Sequence, residues 1–119
     1  MKLEIVRITD RGVPNKERLH LRVQADVSLG YYVVLDTVYT SPTSISNYPK
    51  HAYWFPSTSV QAGDHVVLYT GPGSDSSKKN PDGTTSYFYH WGLSTTLWAD
   101  KSQCAVVLEL ANWQTSPAD

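Results

Sequence analysis

Between Arg18 and Val23 apolar and polar side chains alternate without a break: Leu19, Leu21 and Val23 fall on one parity, and Arg18, His20 and Arg22 on the other. An extended chain points successive side chains to opposite sides, so this stretch reads as a strand with one buried and one solvated face. No segment sustains an apolar period of 3.6 residues over two turns, which argues against any amphipathic helix and places the chain among all-β folds.

The remaining segments fit that class. Lys2 to Thr9 mixes β-branched and charged positions, with Leu3 and Ile5 on one parity and Ile8 on the other, and a bulge near Val6 reconciles them. Asp10 to Asn15 is turn chemistry: Gly12 frees φ, and Pro14 fixes φ and removes a ladder donor. Tyr31 to Tyr39, rich in Tyr, Val, Leu and Thr, reads as a central strand. Thr40 to Ala52 is rich in Ser, Thr, Pro and Asn and reads as a long surface loop. Tyr53 to Pro56 closes a short strand, Gln61 to Asp64 is a tight turn in which Gly63 takes positive φ, and His65 to Tyr69 is a strand with Val66 and Leu68 inward. Gly71 to Gly83 reads as a second long loop with a turn at Asp82 and Gly83. Tyr87 to Trp91 resumes the alternation. Cys104 to Leu110 closes the sheet with Val106, Leu108 and Leu110 on one parity.

A length of 119 residues fits one domain, taken as 1–119, and suffices to bury a core without staples. The formal net charge of −1 gives no global field for nucleic acid or an anionic membrane, so partners have to be sought in local surface. Cys104 is the single cysteine and has no internal disulfide partner. No stretch approaches the about 20 apolar residues of a membrane span or the core of a signal peptide. These features lead to the expectation of a soluble protein of a reducing, cytoplasmic compartment.

The residue types of catalysis are present but not arranged. His20, His51, His65 and His90 lie on separate elements, with no short spacing that puts two metal ligands on one face. Gly71-Pro72-Gly73-Ser74 lacks the Gly-Lys-Ser/Thr and following helix of a phosphate loop, since Lys78 and Lys79 come later. Cys104, among apolar neighbours, reads as a small core residue. No metal, cofactor or catalytic set is expected, and the chain reads as a non-enzyme.

Four tryptophans remain. Trp54 and Trp91 are expected on or beside sandwich strands, with Trp91 as the core anchor, whereas Trp98, in irregular chain between Thr96 and Asp100, and Trp113, near the polar end, are expected on the surface.

One ordered set of motifs carries a family resemblance. Trp54-Phe55-Pro56 is followed by a short spacer, by Ala62-Gly63-Asp64 opening an apolar strand, by a Gly-rich loop, by an aromatic strand ending at Trp91-Gly92, and by a final apolar strand. Upstream, Leu19-His20-Leu21 precedes Ser28-Leu29-Gly30 and a further strand. Over roughly Glu17 to Leu110 the chain resembles a lamin tail domain. The resemblance implies an immunoglobulin-like, Greek-key β-sandwich of about seven to nine strands. It also implies a recognition module, whose partners in that family are proteins and in some cases DNA.

The functional expectation is therefore a non-enzymatic binding or scaffolding module, a protein-interaction subunit of a larger complex, which is free-standing on the ground that it begins with Met. A nucleic-acid-binding module is the first alternative, with Arg18, Arg22, Lys78 and Lys79 supplying phosphate contacts. A carbohydrate-binding module using Trp98, Trp113 and loop tyrosines is the second.

Overall fold

The computed structural model describes residues 1–118. Among them the chain is all-β, with eleven strands in three sheets and a single 3₁₀ turn at Leu29–Tyr31 as its only helical element. No helix is long and apolar enough to cross a membrane.

The first sheet has five strands. β1 (Leu3–Thr9) pairs antiparallel with β2 (Arg18–Val23), and the register slips between Ile5 and Arg7, so the bulge at Val6 brings Leu3 and Ile8 onto one face. β2 pairs antiparallel with β8 (His65–Tyr69), which runs parallel to β10 (Thr85–His90). The outer edge is β9 (Ser76–Lys79), antiparallel to β10. Here the structure corrects the expected long loop, because its middle, Ser76–Lys79, is a strand. Ser76, Ser77, Lys78 and Lys79 are all exposed, so β9 has no apolar alternation by which to be read, and its lysines suit a sheet edge that must not pair further.

The second sheet is centred on β4 (Tyr32–Ser41). β11 (Gln103–Glu109) lies antiparallel on one side of it, and β5 (Ser44–Ile45) and β6 (His51–Trp54) pair with it on the other. The expected loop from Thr40 to Ala52 is thus a hairpin return folded back on β4. A two-stranded ribbon of β3 (Val27–Ser28) and β7 (Ser59–Val60) completes the set.

One core joins the two larger sheets. Leu3, Leu19, Leu21, Val23, Val66, Leu68 and Tyr89 come from the first, Tyr32 and Val34 from the second, and Leu29, Phe55, Val60, Leu97 and Trp98 from connections and the ribbon. Each fully buried aliphatic side chain contributes roughly 1.5–3 kcal/mol. Tight turns at Gly63 and Gly83, with φ of 92° and 89°, fall where the sequence places them.

The core decides a choice that the apolar run of β11 leaves open, and it changes what is expected of two tryptophans. On β11 the inward parity is Ala105 and Val107, opposite Asp36 and Val34, so Val106 and Leu108 point outward. An apolar run shows a strand but not which of its two apolar faces is covered. Trp98, expected on the surface, is fully buried, with a relative exposure of 0%, and cannot serve as a surface platform. Trp91 is half-buried against its ring instead, at 6.3 Å between centroids, so Trp98 rather than Trp91 plugs the core.

Candidate functional site

Glu17 explains how an irregular polar segment buries its tryptophan. Its carboxylate accepts from the backbone N–H of Gly12 (2.7 Å), Leu97 (2.7 Å) and Trp98 (3.0 Å), and from the Thr70 hydroxyl (3.1 Å). A buried carboxylate is costly unless its lone pairs are filled, and here four donors fill them. Arg11 adds a bond to the Trp98 carbonyl. The 92–102 segment is thereby pinned against the core. Nothing in the residue type of Glu17 announces this, since an acidic residue before a strand is ordinarily solvated. The Trp98 indole N–H has no partner among the described residues.

The outer face of the first sheet collects most of the basic positions singled out in the sequence. Register puts Glu4, Arg22, His65, Ser86 and Lys78 in one row, Arg7, His20, Val67, Phe88 and Ser76 in the next, and Thr9, Arg18, Tyr69 and His90 in a third. Arg18, Arg22 and Lys78 thus share a face, whereas Lys79 falls on the other parity of β9. The face is not of one sign. Arg18 is ion-paired with Asp10 at 2.9 Å, Asp75 accepts from the His90 backbone at 2.9 Å, Glu4 stands opposite Arg22, and Asp82 lines the shallow groove over His20 and His65. Tyr69 is stacked by His90 at 5.0 Å and lies under the Arg18 guanidinium at 5.7 Å, so its ring faces are already occupied.

His20 sits at the centre of this face. Burial, then Arg7, Arg18 and His65, hold its pKa below the ordinary histidine value. Its Nε2 is buried without a partner among the described residues. The loop after β8 closes over the neighbouring histidine: a Cβ at Gly73 would fall 2.3 Å from the His90 ring, so that glycine is needed for packing rather than for phosphate.

The outer face of the second sheet is of another kind. Register aligns Trp54, Val33 and Leu108 in one row, Ala52, Leu35 and Val106 in the next, and Thr37 with Cys104 in a third. No charged side chain occurs among them. Trp54 and Leu108 are 47% and 40% exposed. The C-terminal segment crosses this face, where Trp113, itself 57% exposed, meets Trp54 edge-on at 5.0 Å. Trp54 is fixed by its indole N–H, which donates to the Gly30 carbonyl at 2.8 Å. Of the two expected surface tryptophans, then, Trp113 is on the surface and Trp98 is not. Trp54, expected within a sandwich strand, takes the exposed place.

The remaining reactive groups do not form a catalytic set. Asp36, buried on the inner side of β4, accepts from the backbone N–H of His51 and holds its ring at 3.2 Å, while that ring abuts Trp91. No hydroxyl or thiol is bonded to this pair. The Cys104 thiol is buried, and burial raises its pKa, the opposite of what a nucleophile needs. The cleft beside Thr70 and Leu93 is lined by Pro14, Asn15, Gly71 and hydroxyl residues, with no titratable carboxyl, imidazole or amine. Among the described residues no three His, Cys, Asp or Glu side chains are placed to hold a metal ion.

No protein-family model, no curated protein sequence and no solved structure matches the chain.

Proposed function

We propose that the chain is a non-enzymatic binding module, an immunoglobulin-like sandwich of the lamin-tail kind, whose partner is a protein docked on the outer face of the second sheet. The observation that carries this reading is the uncharged apolar row of Trp54, Val33 and Leu108 beside Leu35 and Val106. A sheet face that meets only water ordinarily alternates apolar with polar positions, as the first sheet does. Here both parities of β4 and β11 are apolar, and contiguous exposed apolar surface marks an interaction site. The partner this face fits offers aliphatic or aromatic side chains and no charge, because an ion buried there would find no counter-ion. Trp54 supplies a rigid anchor of the type that dominates protein interfaces.

Affinity purification with the wild type, a Trp54→Ser/Leu108→Ser variant and an Arg18→Ala/Arg22→Ala/Lys78→Ala variant tests it. A partner retained by the wild type and the basic-residue variant, and lost from the Trp54→Ser/Leu108→Ser variant, supports the reading. Retention by all three moves the interface off this face. The nucleic-acid alternative rests on Arg18, Arg22 and Lys78 sharing one face, and the interleaved Asp10, Asp75, Asp82 and Glu4 oppose the phosphate backbone there. The carbohydrate alternative loses Trp98 to the core and keeps Trp113.

A further inference from the structure

The two larger sheets end in edges that are protected to different degrees. β9 is short and carries Lys78 and Lys79, β1 is bulged at Val6 and flanked by Glu4 and Arg7, and β6 has four residues. Lysines, bulges and shortness are the usual devices that stop a sheet edge from pairing further. β11 has none of them. It runs seven residues, Gln103-Cys-Ala-Val-Val-Leu-Glu109, in unbroken register with β4, without Lys, Arg, Pro or Gly.

Which of its backbone groups are free follows from the ladder. The Tyr39 N–H donates to the Ser102 carbonyl at 2.8 Å and the Leu110 N–H to the Tyr31 carbonyl at 2.7 Å, so even-numbered residues of β11 exchange bonds with β4. The odd-numbered residues Gln103, Ala105, Val107 and Glu109 therefore turn their N–H and C=O groups to the open side. Gln103 is already engaged, its N–H by Asp100 at 2.9 Å and its carbonyl by Arg11 at 3.2 Å. Among the described residues nothing bonds the backbone of Ala105, Val107 or Glu109 on that side, which leaves an antiparallel template.

We infer that this edge pairs with β11 of a second copy of the chain, in an antiparallel two-fold arrangement that joins the two second sheets into one. A partner strand must match alternate free donors and acceptors, stay apolar on both faces and put no like charges opposite each other, and β11 itself meets all three conditions. With Val107 opposite its own counterpart, Ala105 faces Glu109 of the second copy and Val106 faces Leu108 of the second copy. The only charge in the strand, Glu109, then meets an alanine rather than another carboxylate. The neighbouring edge adds to the fit. β1 lies alongside β11 across the sandwich, since Arg11, just beyond its end, reaches the start of β11, and Lys2, at its beginning, borders Glu109 and Leu110. Ile5 and Val6 are exposed on β1 at 40% and 43%, so the edge beside β11 also offers apolar side chains. Such a two-fold contact is isologous and closes at two chains. The inference stands on the strand edge and does not require the apolar outer face to be occupied.

Light scattering during size exclusion, from micromolar to near-millimolar loading, is the first measurement, paired with hydrogen exchange at each concentration. The expected result is a concentration-dependent species of twice the 13.3 kDa chain mass, with the amides of Ala105, Val107 and Glu109 slowing as it forms. Ala105→Pro removes an N–H that has no partner within the chain and is tolerated at an edge, so it should leave the β spectrum intact and weaken the dimer by about tenfold or more. Val106→Lys sets a cation against Leu108 of the second copy, with the two lysines in diagonal reach of each other, and should weaken it similarly, which keeps the test available if the proline variant fails to fold. Trp54→Ser, on the far side of β4, should leave the dimer unchanged even where it abolishes protein capture. A wild type that stays monomeric throughout, a dimer whose exchange at those amides is unchanged, or a folded Ala105→Pro or Val106→Lys variant that dimerises as well as wild type would each overturn the inference.

Discussion

The outer face of the first sheet and the outer face of the second are built from strands of similar length, yet they solve opposite problems. On the first, Arg7, Arg18, Arg22 and Lys78 are interleaved with Glu4 and bordered by Asp10, Asp75 and Asp82, and the Tyr69 ring is already covered by His90 and Arg18. Such a face satisfies itself in water and gains little from any one ion pair, since exposed pairs contribute about 0–1 kcal/mol. On the second, Trp54, Val33, Leu35, Val106 and Leu108 carry no charge, and Trp113 lies edge-on against Trp54. The difference teaches that charge content and interaction capacity are separate properties of a surface: the face with the more conspicuous residue types is the better solvated one.

The largest effect that sharpens this comparison concerns the tryptophans. Trp98→Ala is expected to destabilise the fold by about 3–5 kcal/mol in a denaturant titration, because it empties a fully buried site, whereas Trp54→Ala is expected to cost about 1 kcal/mol or less. Equal costs would mean that Trp54 is part of the core and that the second face is structural. Next in size, Trp54→Ala or Leu108→Ala should weaken the protein partner by about 2 kcal/mol, the loss typical of a hot spot, while circular dichroism stays unchanged. Binding by either variant at wild-type strength breaks the assignment of function to this face.

The first face is tested by salt. Fluorescence anisotropy with labelled single and double strands should show only weak, sequence-blind binding that vanishes near physiological ionic strength, since the carboxylates among its cations limit counterion release. Sub-micromolar binding that survives there, and that falls when Arg7, Arg18, Arg22 and Lys78 are changed to Ala, would invert the ranking of the two faces. The smallest effect belongs to His20. Its folded pKa lies below 6.5, so as pH falls through the ordinary histidine range the unfolded chain takes up a proton before the native one does. Stability should accordingly be full above that range, decline as pH drops below about 6.5, and level off once the native imidazole is protonated. His20→Gln should flatten that part of the profile, and an unchanged slope would mean that His20 is solvated like an ordinary surface imidazole.

Legibility tracked the kind of contact involved. The strand at Arg18–Val23, the bulge at Val6, and the turns at Gly63 and Gly83 were readable because each is set by alternation or by a backbone conformation that a few residues decide. β9 was not, since Ser-Ser-Lys-Lys becomes a strand only through its ladder to β10. The candidate surface was half readable. Trp113 and the shared face of Arg18 and Arg22 follow from position and parity, whereas only the ladder to β10 brings Lys78 onto that face and puts Lys79 on the opposite side.

The sequence by itself determined the all-β class, the places where the chain turns, and the two parities of each alternating strand, because these depend on neighbours within a few residues. Tertiary structure alone decided which parity of β4 and β11 meets the core, since apolar residues on both parities leave the choice to whichever sheet packs against them. It also decided the fate of Trp98. Its neighbours Thr95, Thr96 and Asp100 are those of an exposed loop, and only the carboxylate of Glu17, eighty-one positions away in the chain, satisfies the backbone of that loop well enough for the indole to enter the core.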